Sequence, residues 1–511
     1  MKFKILYIAA FLFLLSCDRS IPTISNDNPF DTENELTGGD PFEINVMNYS
    51  DYIAVTWAYE YENPIPEGFN LYRVDNQNGN PILRYSGNST SFEDDSVQWD
   101  STYTYYVTVV VDGVESTPPD FSELPPVMRR IYVGLDAESS DFTSIQTALD
   151  VLKDSDVVYV KDGTYVENIN FGGKAIAIRS INGPENCILD GGGLEAVITF
   201  DSEEDSNAVL DGFTVTNGSN SRGGGIYLSD DSSPKINNCI IRDNNASSRG
   251  GGLYSTDGAN PIITNTSFIN NHSDDRGGGM FCNRTSPQII SCQFDGNNAV
   301  EEGGGLYLME PENIVVQKCV FMNNIADKGA GIYFNRTENT PIIQSSFISN
   351  VGNDYGGAIY MEESDGITLQ NCLFVLNEGE NGGGAFYFSE SSSELNQCTL
   401  FNNTTDEEGG GLFIRDGSNV SVVNSILWND NGMSDSEISL HLEGLDNVTV
   451  IYSDVENGTG ENWFGEGSID IDPKFVDISE DDFHLQDDSL CKGAGQNSED
   501  LGVYGGELGN W

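Results

Sequence analysis

Basic residues are scarce in this chain: 23 Lys and Arg stand against 81 Asp and Glu over 511 residues, for a formal net charge of -58. That balance excludes a nucleic-acid binder that works by neutralising phosphates, and a basic helix lying on a membrane surface. Histidine is rarer still, with His272, His441 and His484 far apart in sequence, so surface or capping roles suit them better than catalysis. Proline is low at 17 against 56 glycines, a turn-rich composition without collagen periodicity. No Cys-x-x-Cys metal pair occurs among the 9 cysteines. Beyond the N-terminus no apolar run is long enough to cross a bilayer. What is present is apolar and aromatic: 38% hydrophobic residues, with 22 Tyr and 26 Phe, more than a disordered acidic chain carries. The chain should fold, and at this length into more than one domain.

Residues 1–16 place Lys2 and Lys4 before an apolar run from Ile5 to Leu15, the pattern of an export signal. Leu14-Leu15-Ser16-Cys17 resembles the bacterial lipobox, which implies cleavage before Cys17 and a lipid on its thiol; an ordinary cleaved signal is the other reading. The expectation is an exported protein, lipid-anchored to a bacterial membrane, with the outer membrane or cell surface as its place. Residues 17–40 lack periodicity and are rich in Asn, Asp, Pro and Gly, as a flexible tether would be. Residues 41–125 show short alternating runs between turn clusters, the pattern of a seven-strand sandwich. This segment resembles a fibronectin type III domain, with Trp57 as its core tryptophan and Tyr103 as its tyrosine corner. A spacer and a ligand-binding module both fit it. Pro118-Pro119 and Pro125-Pro126 then mark a linker.

From about residue 220 the chain repeats itself. Glycine clusters begin at Gly223, Gly250, Gly277, Gly303, Gly329, Gly356, Gly382 and Gly409, in steps of 26 or 27. Each is followed by a small or thiol position (Cys239, Thr266, Cys292, Cys319, Ser345, Cys372, Cys398, Ser425). A bulky apolar residue follows (Ile241, Phe268, Phe294, Phe321, Phe347, Phe374, Leu400, Leu427), then Asn244, Asn271, Asn297, Asn324, Asn350, Asn377 and Asn403, with Asp430 last. Asn217 reads as an earlier member of that last column. Such a period without helical patterning fits one coil of a parallel β-helix, with identical columns stacked about 4.8 Å apart and a buried Asn ladder bonded along the axis. The Gly-Gly-[Gly/Ala]-aliphatic-aromatic and Phe-x-x-Asn elements resemble those of polymorphic outer-membrane proteins, within the right-handed parallel β-helix proteins of the pectin-lyase-like fold. That resemblance implies an all-β solenoid over 130–470, a cap helix near 143–153, about a dozen coils, and a C-terminal capping tail over 471–511.

Alternation within the strand after each glycine cluster turns the aliphatic columns inward. It turns outward an eight-rung aromatic column: Tyr227, Tyr254, Phe281, Tyr307, Tyr333, Tyr360, Tyr387 and Phe413. Small residues just before it, Gly225 to Gly411, would leave the ring flanks open. The ladder reads as a platform on which sugar rings stack, as cross-strand pairs that stabilise the sheet, or as a surface covered by another segment. Just before the glycines stand Arg222, Arg249 and Arg276, which would hold an anionic glycan or merely pair with acids. Three residues beyond the rings, Arg284 and Arg336 fall between acids and predict an exposed salt-bridge ladder.

The implied fold family contains polysaccharide lyases and hydrolases, yet the Trp-x-Asp-His stretch of pectate lyases and the Asn-Thr-Asp and Gly-His-Gly motifs of polygalacturonases are absent. No catalytic residue and no metal ligand is assigned. Acid clusters at Asp201 to Asp205, Asp230-Asp231 and Glu407-Glu408 would bind Ca²⁺ loosely at most, and no cofactor is expected. Cys292/Cys319 and Cys372/Cys398 lie on adjacent coils, where free buried thiols suit parallel strands better than disulfides. The reading is a surface-anchored β-helix lipoprotein acting in adhesion or in glycan or partner binding. The alternatives are a lyase or glycosidase with a divergent site, and a structural spacer.

Overall fold

The computed structural model describes residues 42–48, 53–59, 66–75, 79–97, 101–111, 113–116, 127–128 and 131–137, then 140–311, 314–432, 437–440, 446–506 and 508–509. The export signal, Cys17, the tether and the proline linker lie outside the described residues. The chain divides into two compact units, residues 1–143 with 156–159, and 144–155 with 160–511.

In the first unit, Phe42–Asn48, Ile53–Tyr59 and Ser91–Asp94 form one antiparallel sheet. Gly68–Asp75, Ile82–Gly87, Thr102–Val111, Val114–Glu115 and Val127–Met128 form a second. Alternation places Ile44, Val55 and Trp57 from one sheet and Leu71, Tyr103, Tyr105 and Val107 from the other in a shared core. Trp57 packs edge-on to Phe69 at 6.1 Å between ring centroids.

The second unit starts with a helix, Ile145–Val151, whose buried face is Ile145, Ala148 and Leu149. Its N-cap Ser144 accepts a hydrogen bond from the Thr147 amide, and the Glu167 carboxylate accepts from the Ile145 and Gln146 amides. The first-turn donors that a helix leaves unpaired are thus satisfied. Beyond it, every long sheet is parallel and each coil contributes at most one strand to each sheet. The ladder sheet has 12 strands, from Gly163–Val166 to Asp454–Val455, in accord with about a dozen coils. The aromatic sheet has 11, from Ile169–Asn170 to Ile438–Leu440; a short sheet of 7 runs from Ser219–Arg222 to Glu378–Gly379. A further sheet carries Ala177–Ser180 through Asn447–Ile451.

Register is unbroken where the columns demand it. Phe268, Phe294, Phe321, Phe347 and Phe374 are consecutive partners, with centroids 4.7–4.9 Å apart and planes within 9°. The asparagines beside them are buried, and within the ladder one side chain satisfies four groups. In Asn324, Nδ2 donates to the Phe294 carbonyl at 2.9 Å and to Asn350 Oδ1 at 2.9 Å. Its own Oδ1 accepts from both the backbone amide and Nδ2 of Asn297 at 3.0 Å. The same bonds recur from Asn244 to Asn403. Asn217 departs from the expected column: it adopts a left-handed turn (φ 56°) and bonds to Asp190, while Gly218 takes the ladder position and donates its amide to Asn244 Oδ1.

The C-terminal residues do more than close the last coil. They turn back along the outer side of the ladder sheet, where Phe475, Phe483, Leu501 and Val503 cover Leu373, Val375, Phe401 and Ile426. One amide from each of four successive coils fastens them. Gln344 donates to the Leu508 carbonyl, Asn371 to those of Val503 and Gly505, and Gln397 to Glu499, while Asn424 Oδ1 accepts from the Gln496 amide. All eight described cysteines are free and buried.

Candidate functional site

The sharp corner between the short sheet and the aromatic sheet is made by the glycine clusters. Gly250 takes a left-handed φ of 69°, and a Cβ on Gly251 would lie 2.3 Å from the His272 carbonyl oxygen. A Cβ on Gly252 would stand 3.0 Å from Asn271 Nδ2 and from the Phe268 ring. The small-residue column therefore clears room for the interior ladders; it does not leave ring flanks open.

The corner brings the predicted rings and cations together in one cleft. Tyr227, Tyr254, Phe281, Tyr307, Tyr333, Tyr360, Tyr387 and Phe413 form a stack separate from the interior, with centroids 4.7–5.7 Å apart. The open platform is corrected: exposure is only 0–8% from Tyr254 to Phe413, and Tyr227 alone is half-buried. The cover is the chain's own preceding column. Arg222 lies over Tyr254 at 5.7 Å, Arg249 over Phe281 at 5.2 Å, Arg276 over Tyr307 at 5.6 Å and Lys328 over Tyr360 at 5.7 Å. Each cation thus seals the ring of the next coil, a contact worth about 0.5–1 kcal/mol.

Acids hold these cations in place. Arg249 faces Asp275 at 3.5 Å; Arg276 meets Glu302 at 2.8 Å, with Asp275 and Glu301 at 3.4 and 3.6 Å. The expected outer salt-bridge ladder is present, Arg284 to Glu310 and Arg336 to Glu363, both at 2.8 Å. Two carboxylates within the cleft were not singled out from sequence as functional. Burial holds the Glu302 carboxyl above its ordinary range, against the opposing pull of Arg276. Glu362 accepts from the Tyr333 hydroxyl at 2.8 Å and from Asn335 at 2.6 Å. Both sit in columns of changing residue type, so no periodic signal marks them.

The lid ends where the covering column changes from cations to Tyr355, Asn381 and Glu408. There a cavity of about 360 Å³ opens, lined by Tyr355, Asn381, Glu407, Glu408 and Phe413. Tyr355 rests against Tyr387 at 4.6 Å, and Glu408 accepts from the Ser439 hydroxyl at 2.7 Å. A second, acidic recess of about 590 Å³ is lined by Asp201, Ser202, Glu203, Asp230, Asp231 and Asp257. Among the described residues no group of three or more His, Cys, Asp and Glu is placed to hold a metal ion.

A stack buried this deeply supports the fold. Tyr307→Ala should destabilise the protein by about 3–5 kcal/mol through the cavity it leaves, read as a lower urea midpoint. A binding defect with unchanged stability would contradict this.

The family model described as right handed beta helix region matches residues 134–273, 203–374 and 325–472. No curated protein matches in sequence. Similar solved structures include a pectin methylesterase from carrot, with 12% identity and a TM-score of 0.27, covering 64% of this chain and 90% of that one. A GH136 lacto-N-biosidase from Eubacterium ramulus shows 10% identity and a TM-score of 0.35, covering 64% of this chain and 67% of that one. The family matches overlap across 134–472, well over half of the sequence, and coincide with the stacked coils: the chain belongs to the right-handed β-helix family.

Proposed function

We propose that this protein is a surface-anchored β-helix that binds a neutral glycan without transforming it, and that the cavity at the end of the aromatic stack is the binding site. The observation that carries the reading is the convergence there of the Tyr355 and Phe413 rings with the Asn381 amide and the Glu407 and Glu408 carboxylates. Rings offer apolar faces to a sugar, and the amide and carboxylates can accept or donate to its hydroxyls. An anionic glycan is disfavoured, because the cleft's arginines are committed to rings and acids while the cavity is lined by carboxylates. The export signal, the lipid at Cys17, the fibronectin type III-like reading of residues 41–125 and the likeness to polymorphic outer-membrane proteins belong to the same proposal. They support a β-helix held outside the cell, a setting that suits adhesion.

The test is a glycan array probed with the full chain and with Asn381→Ala/Glu407→Gln, both residues being exposed. Binding of neutral glycans that falls at least tenfold in the variant, with unchanged thermal unfolding, supports the site. Equal binding by both proteins overturns it.

A second reading, a glycoside hydrolase, is favoured by one observation. Glu302 is a carboxyl raised by burial, and Glu362, a second carboxylate, influences it across the same cleft. Acid and base roles in glycoside cleavage call for two carboxyl groups in unlike surroundings. Release of reducing ends from an array-positive glycan, abolished by Glu362→Gln, would establish it.

A further inference from the structure

Asp430 ends the asparagine ladder on a carboxyl group where seven preceding rungs carry an amide. Its Oδ1 does the work of an amide oxygen, accepting from the backbone amide of Asn403 at 2.7 Å and from Asn403 Nδ2 at 2.9 Å. Its Oδ2 stands where each other rung has the Nδ2 donor, and it is buried with no hydrogen-bond partner. Glu437 returns to the same place: its Oε1 accepts from the Asp430 amide at 3.0 Å, and its Oε2 is also buried and unpartnered. Both residues are 3% exposed. Two ionised carboxylates are untenable there without a cation, because each would be stripped of water beside a like charge. One proton between them satisfies both orphaned oxygens.

We propose that Asp430 and Glu437 hold a single proton in common, and that this carboxyl pair is a pH-sensitive clasp fastening the last coils to the asparagine ladder. The surroundings favour keeping the proton. Glu456 on the following coil accepts from the Asn429 amide at 2.8 Å, and Glu408 on the preceding coil is joined to Ser439, two residues beyond Glu437. The ladder itself contributes only the neutral Asn403. Burial lifts the Asp430 carboxyl to about 7 and Glu437 well above the ordinary range. The folded clasp therefore keeps a proton that the opened chain releases above the usual carboxyl range. Its stabilisation is complete in acid, declines as pH rises from about 4, and is lost only as pH rises through the raised folded values of both carboxyls, Asp430 at about 7 and Glu437 well above its ordinary range.

The experiment is hydrogen–deuterium exchange on the full chain from pH 5.5 to 8.5, corrected for intrinsic exchange and read at Ile426–Trp428 and Ile438–Leu440. Wild type should open roughly tenfold more per pH unit from pH 5.5 upward for as long as the folded pair keeps its shared proton. Asp430→Asn, which restores the ladder's own amide, should be flat. Infrared spectra at pH 6 should show a protonated-carboxyl stretch that weakens in wild type as pH rises, a readout available even if the variant fails to fold. A flat wild-type profile, a slope retained in Asp430→Asn, or absence of the infrared band overturns the clasp. So does protection at pH 8.5 that Ca²⁺ restores and a chelator removes, which would make the pair a cation site.

Discussion

Deleting residues 473–511 should cost more stability than any single substitution in the solenoid. Four side chains of the ladder sheet, Leu373, Val375, Phe401 and Ile426, are 1–6% exposed because the returning tail lies on them. Re-exposing such groups costs about 1.5–3 kcal/mol each, or roughly 6–12 kcal/mol together as an upper bound. The amides of Gln344, Asn371 and Gln397 would also lose their acceptors, though water would replace those bonds. The expected result is a urea midpoint well below that of the full chain and a marked gain in dye binding to exposed apolar surface. A truncated protein with an unchanged midpoint would show that the tail is ornamental. Because coils contact only their neighbours, the loss should concentrate in the C-terminal coils and fade toward Gly163–Val166.

Asn324→Ala should be the most damaging single change in the interior. It removes the acceptor of both the Asn297 backbone amide and Asn297 Nδ2, and the donor to the Phe294 carbonyl. Each buried group left without a partner costs about 1–3 kcal/mol, so a loss of about 3–9 kcal/mol is expected for three such groups. Chemical denaturation followed by circular dichroism measures it. Asn324→Asp sharpens the test, since it keeps the Oδ1 acceptor and sets a carboxyl oxygen against the Phe294 carbonyl. It should recover part of the stability in acid and little above neutral pH. If both variants unfold like wild type, the ladder contributes nothing to the coil.

Much of this architecture is legible in the residues because a solenoid turns sequence period into spatial neighbourhood. Phe268 and Phe294 stand 26 positions apart and stack at 4.8 Å, and Asn271 bonds to Asn297 for the same reason. Strand alternation also places Tyr307 outside the interior cluster, in a stack of its own. What alternation cannot show is the path of the backbone around the corner. A left-handed glycine at each turn folds Arg276 over Tyr307, so an outward ring becomes a covered one. The landing place of the tail leaves equally little trace in the sequence. Its partners Gln344, Asn371, Gln397 and Asn424 share a turn column that on earlier coils holds Asn238, Asn265, Ser291 and Lys318. Nothing in that column's chemistry marks where a distant segment will land. Glu302 and Glu362 carry no periodic mark, because a repeat shows itself through sameness and recognition requires departures from it.

The regular register has a hereditary consequence. Removing residues 277–302 would join Arg276 to Gly303 and set Tyr254 beside Tyr307, Phe268 beside Phe321 and Asn271 beside Asn324, so each column would close over the excision with a residue of its own kind. A deletion of a few residues within a strand would shift every column against its neighbour. Recombination between repeats is therefore tolerated where slippage is not, and descendants of such a gene can change length in whole coils, each step adding or subtracting about 4.8 Å of reach.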